Sequence, residues 1–216
     1  MKKISKDILN NALTYSSYRE LVSGLYAQQK TTSDDNGEAM LEYTKINIAR
    51  MNRLDRTTRL SEASISTLVK ITTPQTWLVL TEGWCGDAAQ ILPVMQQMAS
   101  ATPNIEFKLI LRDEHPDIMD AFLTNGTRSI PKLIILDSET REVLGSWGPR
   151  PAEVQKMMMD VRRKIEQIDC PEERLALNQQ LKIDVQKWYN SDKTVRIQAE
   201  ILEVVEQALT YSVNAA

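Results

Sequence analysis

Cys85 is the residue in this chain with the clearest chemical potential. It stands in Gly83-Trp84-Cys85-Gly86-Asp87-Ala88, directly after the β-prone run at 77–81 and before a helical pattern of Ala88, Ala89, Ile91, Leu92, Met95 and Met98. Strand, tight turn, cysteine and helix follow in order, so the thiol lies at a helix N-terminus. Unpaired amides and the helix dipole favour a thiolate there. The reaction open to such a thiolate is attack on a disulfide sulfur. Gly83 and Gly86 flank the cysteine closely, which predicts an exposed turn and an accessible thiol rather than the buried state common for free cysteine. Glu82 and Asp87 oppose the helix end by like-charge repulsion, so the direction of the thiol pKa shift stays open. Trp84 reads as a flat apolar wall beside the sulfur.

The other chemically capable residues are weaker candidates. His115 is the only histidine and lies before Pro116, with no partner for base or ligand chemistry in view. One histidine and two distant cysteines make no zinc pattern, and no nucleotide or phosphate motif is present, so neither metal nor cofactor is expected. Arg50, Arg53, Arg56 and Arg59 recur every three residues, which winds them around half a helix as a solvated surface rather than a stripe. Met157-Met158-Met159 reads as helix core and rim. Ile130-Pro131 precedes an apolar strand and is a candidate cis peptide.

The elements that must position Cys85 alternate. Residues 77–81 form a strand, 86–101 a helix containing Pro93, 105–111 a strand, 116–123 a helix ended by Asn125-Gly126, 132–136 and 142–147 two strands joined by a turn at 137–140, and 152–168 a helix. A right-handed crossover makes the first two strands parallel, and the short turn makes the last two antiparallel. The result is an α/β fold, a four-stranded mixed sheet with helices on both faces.

Helices flank it. Ahead lie two short helices within 4–30, a long one from Glu38 to Arg59 with Met40, Tyr43, Met51 and Leu54 on one side, and a short one capped by Ser61 that buries Ile65, Leu68 and Val69. Behind lie one helix burying Leu177, Leu181, Val185 and Trp188 and another burying Ile201, Leu202, Val205, Ala208 and Leu209. The expected division is 1–75 helical, 76–168 α/β and 169–216 helical, with the helical parts as candidate oligomer contacts. A net charge of -3 argues against nucleic acid. No apolar run reaches the roughly 20 residues of a membrane span, and no signal-peptide pattern opens the chain, so a cytoplasmic protein with reduced cysteines is the expectation.

The block 76–168 resembles the thioredoxin family. Trp84-Cys85-Gly86 matches the start of its Trp-Cys-Gly-Pro-Cys motif, Pro93 lies at the family's distance along the helix, and Asn125-Gly126-Thr127-Arg128-Ser129-Ile130-Pro131 is similar to the segment that ends in its cis proline. The overall pattern is similar to bacterial thioredoxin-like proteins with helical extensions and a single-cysteine Trp-Cys-Gly-Asp-Ala turn. The resemblance implies a thioredoxin fold, a cis Pro131 facing the active site, and a site of Cys85, Trp84, Gly86, Asp87, Ile130 and Pro131. The departures are equally specific. Ala88 stands at the resolving cysteine, Asp87 at the motif proline, Val79 at the buried aspartate and Lys132 after the cis proline.

Cys170 is no ready substitute for the resolving thiol. A helix of about 25 Å separates it from the site end of the fold, whereas a disulfide needs Cα atoms within about 7 Å. Two functions follow. One is monothiol exchange, with Cys85 forming a mixed disulfide that an external small-molecule or protein thiol resolves. The alternative is a non-catalytic thioredoxin-like binding module, with a groove of Trp84, Ile130 and Pro131 for an extended peptide. A glutathione-dependent activity would need a partner for the carboxylate, which the sequence does not place.

Overall fold

Two strands of continuous apolar character fix the centre of the molecule. In the computed structural model, which describes residues 3–215, β1 (Gln75–Thr81) is buried at every position and β3 (Lys132–Asp137) at all but the last. Successive side chains of a strand point to opposite faces, so a strand buried throughout is covered on both sides. β2 (Ile105–Leu111) lies at one edge and exposes Glu106, and β4 (Val143–Trp147) lies at the other. The order is β2-β1-β3-β4, with β1 parallel to β2 and antiparallel to β3, and β3 antiparallel to β4. Register shifts between Ile135 and Leu136, where β4 irregularly adds its last partner.

The helices are α1 (Lys6–Asn11), α2 (Tyr15–Ala27), α3 (Glu38–Thr57), α4 (Glu62–Leu68), α5 (Gly86–Ala99), α6 (Pro116–Ala121), α7 (Ala152–Glu166), α8 (Pro171–Asp192) and α9 (Val195–Ala215). Ser5, Thr14 and Ser61 cap α1, α2 and α4 by accepting a backbone N–H. The N-terminal chain also blunts an edge of the sheet. Leu13 exchanges two backbone hydrogen bonds of 2.8 Å with Leu109 on β2.

The flanking helices share one core with the sheet. Tyr18, Val22, Met51 and Leu68 from before β1, and Tyr189, Ile197, Ile201 and Val205 from after α7, join Trp77, Leu78, Leu92 and Met95 in a single apolar cluster. α9 seats against β4 so closely that a Cβ on Gly145 would come within 2.6 Å of Val204 Cγ1.

Two expected faces are corrected. α4 buries Leu68, but Ile65 and Val69 are 47% and 57% exposed. The face turned inward is polar instead, because Gln198 of α9 accepts from the Ser61 amide and the Ser64 hydroxyl. On α3 the buried stripe is Thr44, Asn47, Met51 and Leu54, while Tyr43 is 40% exposed. The helix is turned so that Asn47 can donate to the Gly83 carbonyl.

Gly148 is required where the chain crosses behind Pro131. Its φ is +116°, and a Cβ there would lie 2.2 Å from the Pro131 carbonyl oxygen. Gly148→Ala is therefore expected to cost about 3 kcal/mol or more, from backbone strain plus a clash with main chain that cannot move aside. Urea denaturation measures it; a cost below about 0.5 kcal/mol would show that this crossing relaxes freely.

Candidate functional site

The turn between β1 and α5 places Cys85 at the N-cap of α5, where its sulfur accepts from the Ala88 amide at 3.5 Å. Glu82 O accepts from the Cys85 amide at 3.1 Å and closes the turn. Residues from the N-terminal helical region hold it from outside. Thr32 Oγ1 accepts from the Gly83 amide at 3.0 Å, and Asn47 Nδ2 donates to Gly83 O at 3.0 Å.

The thiol is not accessible as the two glycines suggested. Cys85 is 8% exposed, and its S–H donates to the carbonyl oxygen of Ile130 at 3.3 Å. Burial pushes the thiol up to about 12, and the Asp87 carboxylate adds to the rise. The amides of Ala88 and Asp87 and the charge of Arg150 pull the other way and lose. A helix end stabilises a thiolate by about one kcal/mol or less when exposed, and removal from water outweighs that here.

Asp87 is the hub of the covering contacts. Its Oδ2 accepts from Arg150 Nε at 2.7 Å and its Oδ1 from the Tyr189 hydroxyl at 2.8 Å. Both side chains of the ion pair are about 15% exposed, and Tyr189 is 7% exposed. Arg150 follows the cis Gly148–Pro149 bond, and Gln155 Oε1 accepts from its Nη1 at 3.0 Å. Tyr189 comes from α8, so the C-terminal region bonds directly to the residue two places after the cysteine. Burial, followed by the Asp87 charge, raises the Tyr189 hydroxyl well above its ordinary value.

Glu82 is fully buried beneath the turn. Its carboxylate accepts from the Thr32 hydroxyl and, at 3.1 Å, from the Asp113 amide. Burial raises it from 4.5 to about 7, against those two hydrogen bonds. The native state therefore holds this proton at higher pH than the unfolded chain does. Its contribution to stability is full below about 4.5 and falls as pH rises towards 7, by about 3 kcal/mol in all. Glu82→Gln is expected to flatten that slope. Urea melts at about pH 5 and about pH 8 should show the wild type losing more stability than the variant; parallel losses would mean that Glu82 ionises normally.

A cleft of about 530 Å3 opens beside the sulfur. Trp84, Cys85, Gly86 and Asp87 line it from the turn, Met40, Tyr43, Ile46 and Arg50 from α3, Met158 from α7, and Leu181, Lys182, Val185 and Tyr189 from α8. Trp84 is half-buried, with the Arg112 guanidinium 4.9 Å from its ring centroid. Ile130 and Pro131, joined by a cis bond, are both buried, and neither lines this cleft. This cleft is walled by the flanking helices and not by Ile130 or Pro131; the Ile130 carbonyl accepts from the thiol on its other side. Lys132, after Pro131, is buried with its ammonium donating to Thr124 Oγ1 at 2.7 Å and Gly148 O at 3.2 Å.

Sequence reasoning missed Arg50, Arg150, Tyr189 and the anchoring role of Glu82. Arg50 belongs to the arginine series expected to be solvated; Arg53, Arg56 and Arg59 are exposed, but Arg50 is half-buried on the cleft. Its position seven residues after Tyr43 and four before Leu54, on the side expected to be buried, was the available signal. Arg150 and Tyr189 lie 63 and 102 residues from Asp87, and no local pattern connects them. His115 sits at the N-cap of α6 without a side-chain capping bond. Cys85 and Cys170 are both free. Among the described residues, no group of three or more His, Cys, Asp or Glu side chains could hold a metal ion.

The comparisons with known proteins agree with this architecture. A putative thioredoxin 2 of Streptomyces coelicolor is 30% identical over 97 residues, which is 45% of this chain and 67% of that protein. A crystal structure of a protein of unknown function from Pseudomonas aeruginosa superposes with a TM-score of 0.51 at 18% identity, covering 91% of this chain and 99% of that one. An HIV epitope-scaffold does so with a TM-score of 0.52 at 19% identity, covering 90% and 98%. These two likenesses show the fold, helical ends included. The sequence model of the thioredoxin family matches residues 34–166, more than half of the chain and inclusive of α3 and α4 as well as the sheet. The chain belongs to the thioredoxin family.

Proposed function

We propose that this thioredoxin-like protein carries out monothiol thiol–disulfide exchange through Cys85. The carrying observation is the sulfur at the N-cap of α5, receiving the Ala88 amide and lining a 530 Å3 cleft, with Ala88 in place of a second thiol. Cys85 would lose its proton and attack one sulfur of a partner disulfide. The Cys85–sulfur bond forms, the partner's S–S bond breaks, and the second partner sulfur leaves as thiolate. An external thiolate then attacks the mixed disulfide and releases Cys85. The partners are protein or small-molecule thiols and disulfides, and two free cysteines suit a reducing compartment such as the cytoplasm.

The burial and raised pKa of Cys85 favour a second reading, a non-catalytic binding module in which the thiol is only a small core side chain. The two readings part in one assay. Reduction of a small mixed disulfide in the presence of an excess external thiol is expected with the wild type and to vanish in Cys85→Ser. Equal background rates for both proteins would leave the binding module.

A further inference from the structure

The cleft beside Cys85 combines an apolar body with two cations that make no ion pair among the described residues. Met40, Ile46, Met158, Leu181 and Val185 supply the apolar wall. Three charged residues line it: Arg50, Lys182 and Asp87. Asp87 is already committed, one oxygen to Arg150 and the other to Tyr189. Arg50 feels its field but makes no ion pair among the described residues; the bond recorded for its guanidinium runs from Nη1 to Asn47 Oδ1 at 3.2 Å. Lys182 donates to the Tyr43 hydroxyl at 2.5 Å and stands 5.1 Å from that ring's centroid, and it too makes no ion pair among the described residues. Trp84 adds a buried Nε1–H without an acceptor among the described residues.

A half-buried guanidinium without a carboxylate is costly, and the cost is relieved by an anion that accepts its remaining N–H groups. Burial and the neighbouring Arg53 act against the Arg50 charge and outweigh the opposing fields of Asp87 and Tyr189, so the protein compensates it only in part. The volume lies in the range of small-molecule sites, which are mostly apolar with a few placed polar groups.

We propose that the cleft between α3, α5 and α8 binds a small organic anion, an apolar body bearing one carboxylate, with the carboxylate on Arg50 and the body against Met40, Ile46, Met158 and Leu181. Lys182, at the exposed rim, adds long-range attraction. The proposal goes beyond thiol exchange and holds whether or not Cys85 reacts.

Isothermal titration of the reduced full-length protein with decanoate, and with decanol as the uncharged match, tests it without any disulfide present. Saturable one-to-one binding of decanoate is expected, at least about tenfold tighter than decanol, since one charge-assisted bidentate contact is worth roughly 1.4 kcal/mol or more. Arg50→Gln should lower decanoate affinity to the level of decanol and leave decanol unchanged. If that variant does not fold, as judged by circular dichroism, Lys182→Gln at the rim should still weaken decanoate two- to threefold and spare decanol. Failure of decanoate to saturate, equal affinity for decanoate and decanol, or a folded Arg50→Gln that binds decanoate as the wild type does, would each overturn the proposal.

Discussion

Asp87→Ala is expected to destabilise the protein by about 3 kcal/mol while lowering the pKa of the Cys85 thiol. The stability loss comes from what the carboxylate leaves behind. Arg150 is 14% exposed at its side chain and would keep its charge with Gln155 as its remaining acceptor among the described residues. Tyr189, 7% exposed, would lose the acceptor of its hydroxyl. Removing one member of a buried pair costs about 3–5 kcal/mol, and a buried hydroxyl without a partner about 1–3 kcal/mol, with partial solvent access reducing both. The thiol responds in the opposite sense. The Asp87 charge raises the Cys85 pKa and Arg150 lowers it, so removing the anion and freeing the cation both favour thiolate. Asp87→Asn should shift the thiol in the same direction at a smaller cost, because its amide oxygen still accepts from Tyr189 or Arg150. Urea denaturation and the pH profile of iodoacetamide alkylation read the two effects; an alanine variant with wild-type stability and an unmoved profile would dismiss Asp87 as the hub.

In the wild type, Cys85 should alkylate extremely slowly. Between an ordinary thiol value of 9.0 and about 12, the thiolate fraction at neutral pH falls roughly a thousandfold. At 8% exposure the reagent must also wait for the cover to open. The rate is measured in a Cys170→Ser background, so that one thiol reports. It should climb about tenfold per pH unit well past 9, the signature of a thiol still protonated there. The same raised value means that Cys85 contributes stability below about 9 and that this is lost as pH rises towards 12. A plateau below pH 9 would show that the resting thiol is exposed. A partner disulfide would have to reach this buried sulfur from the cleft that Cys85 lines.

The parts of the site that were legible in the sequence are the local ones. The run at 77–81, the glycines and the helical pattern from Ala88 define a strand, a turn and a helix within about twenty residues, and the cysteine falls at the helix start that they define. The parallel and antiparallel pairings follow from connection length. What covers the site was not legible. Met40 and Tyr43, Arg150, and Leu181 and Tyr189 reach one turn from three distant stretches, and each taken alone reads as an ordinary helix or loop residue. Gly83 and Gly86 argued for an exposed turn, but Gly83 instead packs closely on α2: a Cβ there would lie 3.0 Å from Val22 Cγ2. On α4, apolar periodicity pointed to Ile65 and Val69, and a single glutamine on α9 decided which face turned inward.

Thr32 and Asn47 grip the cysteine turn from before the sheet, and Tyr189 grips it from after. This makes the cysteine turn a non-portable element. An excised block from 76 to 168 would leave the Gly83 amide and carbonyl and the Asp87 carboxylate without those partners at once. Writing Pro and Cys into positions 87 and 88 would not restore a dithiol enzyme either, since the proline would leave Arg150 and Tyr189 with no acceptor at 87. The single-thiol motif and the helices around it are therefore one interlocked specification, in which neither can be rewritten without the other.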